Sequence, residues 1–572
     1  EQRRPIGELP AALFVIDGDS TTEIEQKLNE LALIARSPKS AEQIAIRWFQ
    51  KSPPQTTKRL ALTLVAGSSA ELLSAIERGR ERLRSDQMTR GFARDVHFTP
   101  RPLAGRIAFV FPGSGNAFRQ MGRTLLSIFP EALRRQLMEN RELGRQIAVD
   151  NIWFSDGIRS IDHKSMIFSQ VAIGSAVCDL LSLFGIQPSA SVGYSLGESA
   201  ALFGLRAWTE RDEMLERMHR SPLFGSDLVA PFEAARKAWN IPENEAVPWR
   251  SGLIDRSADD VRGAIERICP GTVDPRVYLL IVNTPRQCVI GGERELVDRL
   301  VSDLKARFVP LGSPSTVHCN VLRQVEAAYL ELHLMRTTPP MVQTATGFKP
   351  IDYYSAATGC KYELTRQSAA NAIVAQAVQT IDFPKVVEQA YADGARVFVE
   401  IGPGSSCARM IDEILGERPH FSRSVLPVTS RPVESFIELL AALISERVPV
   451  DLKYLYGNLP VQSDEVPPML RMVKTRVGGL PYEIPAPADG WRFPSPLGTS
   501  IGRTQELPRL RESPPAITIP EPVAMPLPVE IPDPLMESEL PVGAVSETAF
   551  SAGGSSPHNG LIPDFCHRDP EF

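Results

Sequence analysis

The sequence predicts an α/β protein, and three observations carry that prediction. Short apolar runs that read as buried strands recur at 11–16, 60–66, 106–111, 190–194 and 396–401. Segments with apolar residues at helical spacing lie between them, as at 22–35, 70–84 and 169–183. Two of the runs end directly in glycine turns, Pro112-Gly113-Ser114-Gly115 and Gly402-Pro403-Gly404. Strands alternating with helices argue for a mainly parallel sheet covered by helices.

The elements follow in order. Ala11 to Ile16 is bounded by Pro10 and Asp17-Gly18, and Ile24, Leu28, Leu31 and Leu33 mark the first helix. Leu60 to Ala66 and the amphipathic stretch from Ala70 to Arg84 complete a small α/β unit over residues 1–100. Arg106 to Phe111 opens a larger region, about 104–430. The segment from Val277 to Ile290 is placed there as hairpin strands of a smaller subdomain. Beyond about residue 462 the texture changes to proline-studded sequence such as Met525-Pro526-Leu527-Pro528. Proline removes donors and blocks regular pairing, so 463–572 is expected to be an extended, disordered linker or tail.

Composition narrows the function classes. Of the 572 residues, 43% are hydrophobic and 23% charged, and the formal net charge is −6. That balance gives no basic footprint for nucleic acid. No uninterrupted apolar run reaches the roughly 20 residues of a membrane span. The start, Glu1-Gln2-Arg3-Arg4-Pro5, lacks a secretory pattern and reads as a processed or excised piece of a longer chain. Seven cysteines without any Cys-x-x-Cys pair argue against a metal site or a disulfide framework, and point to a reducing cytoplasm.

The chemistry centres on Gly193-Tyr194-Ser195-Leu196-Gly197, set between a strand and a helix. Gly-x-Ser-x-Gly in that context is a nucleophile elbow, whose glycines permit a strained turn that exposes the serine hydroxyl. Serine needs a base, and His318, after a short apolar run and a turn-prone segment, is the leading candidate. His219 is the nearer competitor in sequence, but it sits within a helix pattern that does not aim it at the elbow.

These residues resemble the malonyl-CoA:acyl carrier protein transacylase family. In particular, they are similar to the acyltransferase domain of type I polyketide and polyunsaturated-fatty-acid synthases. The family's opening Phe-Pro-Gly-Gln-Gly-Ser-Gln appears as Phe111-Pro112-Gly113-Ser114-Gly115-Asn116-Ala117. Its Gly-His-Ser-x-Gly-Glu elbow appears as Gly193 to Glu198, with Tyr194 in the histidine's place. Its Phe-x-Glu-x-Gly-Pro-Gly pattern appears as Phe398 to Gly404. The resemblance implies a large α/β-hydrolase-like parallel-sheet subdomain and an inserted ferredoxin-like subdomain at about 235–316. It also implies a ketosynthase-to-acyltransferase linker over 1–100 and a post-acyltransferase segment over 431–462.

The resemblance also assigns roles. Ser195 is the nucleophile and His318 its base, and the backbone amides of Ser114 and Leu196 form the oxyanion hole. Arg220 grips a malonyl carboxylate, while Gln170 lines the site and Tyr194 shapes its wall. Ala356, in Tyr354-Ser355-Ala356-Ala357-Thr358-Gly359, offers the carbonyl that orients the histidine. The implied reaction loads a malonyl-type group from a CoA thioester onto the phosphopantetheine of an acyl carrier protein, with no bound cofactor or metal. Ketosynthase and other synthase domains are the implied partners. Ser315-Thr316-Val317-His318 matches neither the malonyl-selective nor the methylmalonyl-selective family pattern. Two other readings stand beside it: a serine hydrolase that clears acyl chains with the same Ser195 and His318, and a non-catalytic docking module of a synthase that has kept the fold.

Overall fold

The computed structural model describes residues 5–84, 94–154, 162–312, 314–344 and 347–457. The proline-rich region at 463–572 lies outside the described residues.

The chain begins with three antiparallel strands, β1 (Ala12–Gly18), β2 (Leu60–Ala66) and β3 (Val96–Phe98), in the order β1-β2-β3. Every residue of all three is buried, which explains why β1 and β2 read as apolar runs rather than alternating ones, while β3 is too short to carry a period. The helices Thr21–Ala35 and Ser69–Arg84 pack on this sheet, and so does the later helix Pro432–Ser445. Thr63 Oγ1 donates to the Ala441 carbonyl at 2.9 Å, and the Tyr456 hydroxyl accepts from the Leu13 N–H at 2.8 Å. The segment expected at 431–462 thus returns, as far as it is described, to the N-terminal sheet.

The central sheet is built from β4 (Arg106–Phe111) and β5 (Ala190–Gly193). A second sheet intervenes in the sequence: β6 (Trp249–Ile254), β7 (Val277–Thr284), β8 (Gln287–Glu293) and β9 (Phe308–Pro310). A hairpin of β10 (Met341–Thr344) and β11 (Gly347–Pro350) follows. The chain then adds β12 (Asp352–Tyr354), β13 (Lys361–Tyr362), β14 (Ile381–Asp382), β15 (Ala395–Pro403) and β16 (Phe421–Leu426). Six strands form the central sheet in the order β13-β12-β5-β4-β15-β16, all parallel except β13. The expected α/β class with a parallel sheet is what the structure has.

The inserted sheet has the order β14-β7-β8-β6-β9. Helices Ala258–Ile268 and Arg294–Asp303 cross between its strands, giving a strand-helix-strand-strand-helix-strand run from β6 to β9. The short β14 joins β7 in parallel from outside that run, stitching the insertion to the later chain.

The helix His163–Ser182 runs through the core against the helix Leu196–Gly204 and β15. By length and composition it is apolar enough to cross a membrane, with a mean hydropathy of 1.4. Of that window, 83% is buried within the fold. Ser169, Gln170, Ser175 and Asp179 interrupt it, so it was not visible as an unbroken apolar run. Among the described residues, Cys178, Cys269, Cys288, Cys319 and Cys407 are free.

Candidate active site

Ser195 sits between β5 and the helix Leu196–Gly204 with φ 54° and ψ −118°, the strained geometry of a nucleophile elbow. The flanking glycines are steric necessities. A Cβ on Gly197 would land on the Phe111 carbonyl, and one on Gly193 would meet the backbone of Glu198. The turn therefore nests against the end of β4 so closely that no side chain fits.

Ser195 Oγ lies 2.8 Å from His318 Nε2. His318 itself has φ 68° and its backbone N–H donates to the Ala377 carbonyl at 2.6 Å. Its Nδ1 lies 2.6 Å from the Gln376 carbonyl. A carbonyl only accepts, so Nδ1 carries the proton and Nε2 presents its lone pair to the serine. Gln376 and Ala377 stand in the last turn of the helix Arg366–Val378, where carbonyls lack intrahelical partners. The imidazole thus caps the negative end of a helix dipole, an environment that favours the transient imidazolium. Burial pushes the ground-state His318 down to about 4, with the Gln376 bond acting in the opposite direction. At neutral pH it is an uncharged base.

The expected orienting carbonyl, Ala356, is not the one used. Its N–H instead donates to Glu198 Oε2 at 3.3 Å. The sixth residue of the elbow motif therefore anchors the Tyr354–Ala356 segment, while the tertiary fold delivers Gln376 to the histidine. Burial pushes Glu198 up to about 8.

The opening motif supplies the facing wall. The Gly113 carbonyl accepts from Gln170 Nε2 at 2.8 Å and from Asn116 Nδ2 at 3.0 Å. In a trans peptide the N–H points opposite the C=O, so pinning Gly113 O fixes the direction of the Ser114 N–H. Gln170 is buried and acts on this peptide; it is not among the residues lining the cavity beside Ser195. Leu196 begins the helix after Ser195, and Ser114, Leu196, Ser195 and His318 all line one cavity. The third motif buttresses the first. Ser406 Oγ donates to Asn116 Oδ1 at 2.8 Å, and the Glu400 carboxyl accepts the N–H groups of Cys407 and Ala408.

Besides Gln170, two more expected substrate contacts are absent from the cavity lining. The Tyr194 hydroxyl donates to Asn283 Oδ1 at 2.6 Å and its ring packs edge-on against Phe383, so it binds the inserted sheet rather than shaping the cavity wall. Arg220 ends the helix Arg211–Arg220 with its side chain 81% exposed, 3.8 Å from Glu216. The structure does not bring it to the nucleophile. Met214 and Met218 of the same helix do line the cavity. His219 turns its Nδ1 to the Leu215 carbonyl and does not compete for the serine. The sequence reading missed Gln376, Asn283 and the lining pair His163 and His333. Gln376 acts through a carbonyl that every residue possesses, so no side-chain pattern could signal it.

Known proteins resemble this chain in family and in fold. The acyl transferase domain family matches residues 108–446. The chain is 23% identical over 497 residues to a polyunsaturated fatty acid synthase polypeptide of Thraustochytrium sp., covering 78% of this chain and 24% of that protein. It is 23% identical over 382 residues to the highly reducing polyketide synthase pspA of Penicillium soppii, covering 64% of this chain and 14% of that protein. It therefore spans about a quarter or less of the length of these relatives. The acyltransferase domain from module 8 of the salinomycin polyketide synthase superposes with a TM-score of 0.60 at 18% identity, covering 78% of this chain and 98% of that one. With the elbow, its histidine and the family match over most of the folded region, the chain belongs to the acyl transferase domain family, of the type found in polyketide and polyunsaturated fatty acid synthases.

Proposed function

We propose that this domain moves an acyl group from a CoA thioester to the phosphopantetheine thiol of an acyl carrier protein, through an ester on Ser195 Oγ. The observation that carries the reading is the 2.8 Å Ser195–His318 contact, with the histidine locked in the base tautomer by Gln376.

His318 Nε2 takes the Ser195 proton as Oγ attacks the thioester carbonyl. The tetrahedral oxyanion rests on the amides of Ser114 and Leu196. The C–S bond breaks, and CoA leaves as its thiol with the proton returned from His318. In the second half, His318 takes the proton of the carrier thiol, whose sulfur attacks the Ser195 ester. The C–O bond breaks and the serine is reprotonated. The helix end beneath His318 supports the imidazolium in both halves, standing where many hydrolases place a carboxylate. No resident metal or cofactor is needed, since the CoA thioester is the substrate.

The order β9-β6-β8-β7 with two crossing helices supports reading the insertion as ferredoxin-like, on an α/β-hydrolase-like central sheet. Similarity to multidomain synthases supports a carrier protein and neighbouring synthase domains as partners. The malonyl-type assignment is supported by the resemblance to the malonyl-CoA:acyl carrier protein transacylase family; Arg220, the residue expected to grip the carboxylate, is exposed beside Glu216.

The test is intact-mass analysis of the protein after incubation with acyl-CoA, followed by addition of a phosphopantetheinylated carrier protein. The expected result is an acyl adduct absent from Ser195→Ala and discharged onto the carrier. Rapid release of free acid without carrier would support hydrolysis, and no adduct at all would support a docking role.

A further inference from the structure

The cavity beside Ser195 holds a polar group that the mechanism does not use. It has a volume of about 80 Å³, room for a short acyl group. His163, the first residue of the helix His163–Ser182, lines it together with Ser195 and His318. Its Nδ1 is buried and has no hydrogen-bond partner among the described residues. The ring stacks on Phe224, with centroids 6.4 Å apart and planes 24° from parallel, and Phe224 packs in turn against Tyr329. Apolar contacts thus hold the imidazole while its nitrogen stays unpaired. The other histidine of the wall, His333, already has its Nδ1 engaged with the Tyr329 carbonyl at 2.7 Å.

Two hydroxyls accompany His163. Ser199 stands one helical turn beyond Ser195, and Ser315 lies three residues before His318. Both line the cavity, and neither hydroxyl has a partner among the described residues. Much of the remaining wall is apolar, including Phe168, Phe203, Met214 and Met218.

A buried polar atom left unpaired is costly, so one that lines a substrate cavity calls for a ligand group. An acyl group ending in a methyl would leave Nδ1 as it is. A carboxylate would pair it. Burial holds His163 below its ordinary value, with Asp162 acting in the opposite direction. A carboxylate within hydrogen-bonding distance favours the protonated ring, so Nδ1 would donate in a charge-assisted bond. The two serine hydroxyls are free to donate to the remaining lone pairs, and a carboxylate held by three donors is not a bare buried charge.

We propose, on the acyltransferase reading above, that His163 is a specificity-determining residue that receives the free carboxylate of a malonyl-type acyl group, with Ser199 and Ser315 as further donors.

The experiment compares the rates at which malonyl-CoA and butyryl-CoA acylate Ser195 of the full chain, read by intact mass with Ser195→Ala as control. The wild-type protein should load malonyl at least about tenfold faster than butyryl. His163→Leu should slow malonyl loading by at least about tenfold and leave butyryl loading within about threefold. Ser199→Ala should lower the malonyl-to-butyryl ratio by at least about threefold. The inference is overturned if His163→Leu leaves that ratio within about twofold of wild type, whatever Arg220→Ala does in parallel. An equal loss for both acyl groups overturns it as well, since that marks a packing role. Wild-type loading of butyryl as fast as malonyl also overturns it, and in that case the acyltransferase reading survives. If neither acyl-CoA labels folded protein at Ser195, the acyltransferase reading fails and this inference with it. Should His163→Leu fail to fold, Ser199→Ala decides: an unchanged ratio there overturns the inference.

Discussion

The Tyr194 hydroxyl donates to Asn283 Oδ1 at 2.6 Å, tying the residue before the nucleophile to β7 of the inserted sheet. Asn283 Nδ2 in turn donates to Gln287 Oε1 on β8 at 3.0 Å. The elbow of one sheet is thus bonded to a hairpin of the other, across the boundary beside Ser195.

Tyr194→Phe leaves buried Asn283 Oδ1 without this donor and should lower stability by about 1–3 kcal/mol. Asn283→Leu removes the acceptor as well, so the double variant should be less destabilised than the two single losses added together. Denaturant titration of the four proteins measures the coupling. Additive losses would show that the bond contributes nothing.

Removing the base tests the chemistry directly. His318→Ala should slow acylation of Ser195 by about 100-fold or more, with the melting temperature little changed. Stopped-flow release of CoA provides the rate. A loss under about threefold would remove His318 from the mechanism.

The pH profile follows from the same residue. Only neutral His318 accepts a proton, and its folded value is about 4, lowered by burial. Acylation should therefore stay level from about pH 8 down to about 5.5 and fall only as pH approaches 4. An unperturbed histidine would lose activity near about 6.5. A midpoint there would contradict the buried, helix-capped geometry.

Gln170 acts by positioning. Its Nε2 holds the Gly113 carbonyl, and that peptide carries the Ser114 N–H. Gln170→Leu should lower the maximal acylation rate by about 10- to 100-fold while changing acyl-CoA affinity much less, since the oxyanion exists only in the transition state. Gln170→Glu, which cannot donate when ionised, should not rescue. An equal loss in affinity would indicate a packing role.

Glu198 makes stability pH-dependent. Its folded value is raised to about 8 by burial, above the ordinary 4.5, so the native state holds a proton that the unfolded chain releases. Its contribution is fully present below 4.5 and declines as pH rises through that window toward 8. Glu400, raised to about 7, acts in the same sense. Glu198→Gln should flatten the fall in stability between about pH 5 and 8 without abolishing it. An unchanged slope would place the Glu198 proton elsewhere.

The strands at 12–18, 60–66, 106–111, 190–193 and 395–403 were legible because burial on both faces writes itself as unbroken apolar sequence. The short β12, β13 and β14 were not, since two or three residues carry no period. The elbow was legible for a steric reason: Gly193 and Gly197 stand where no Cβ fits. His318 was reached through its resemblance to a family position, and the structure seats it against Ser195.

What the sequence by itself determined was the α/β class, the glycine-framed serine and the three motifs, because each depends on side chains or their absence within a few adjacent residues. Only the tertiary structure decided that Gln376 rather than Ala356 orients the base, that Tyr194 bonds to Asn283, and that Arg220 faces away from the cavity. Those outcomes depend on which carbonyl a helix end delivers and on where around a helix a residue falls when it packs. Neither is encoded by the identity of the residue alone.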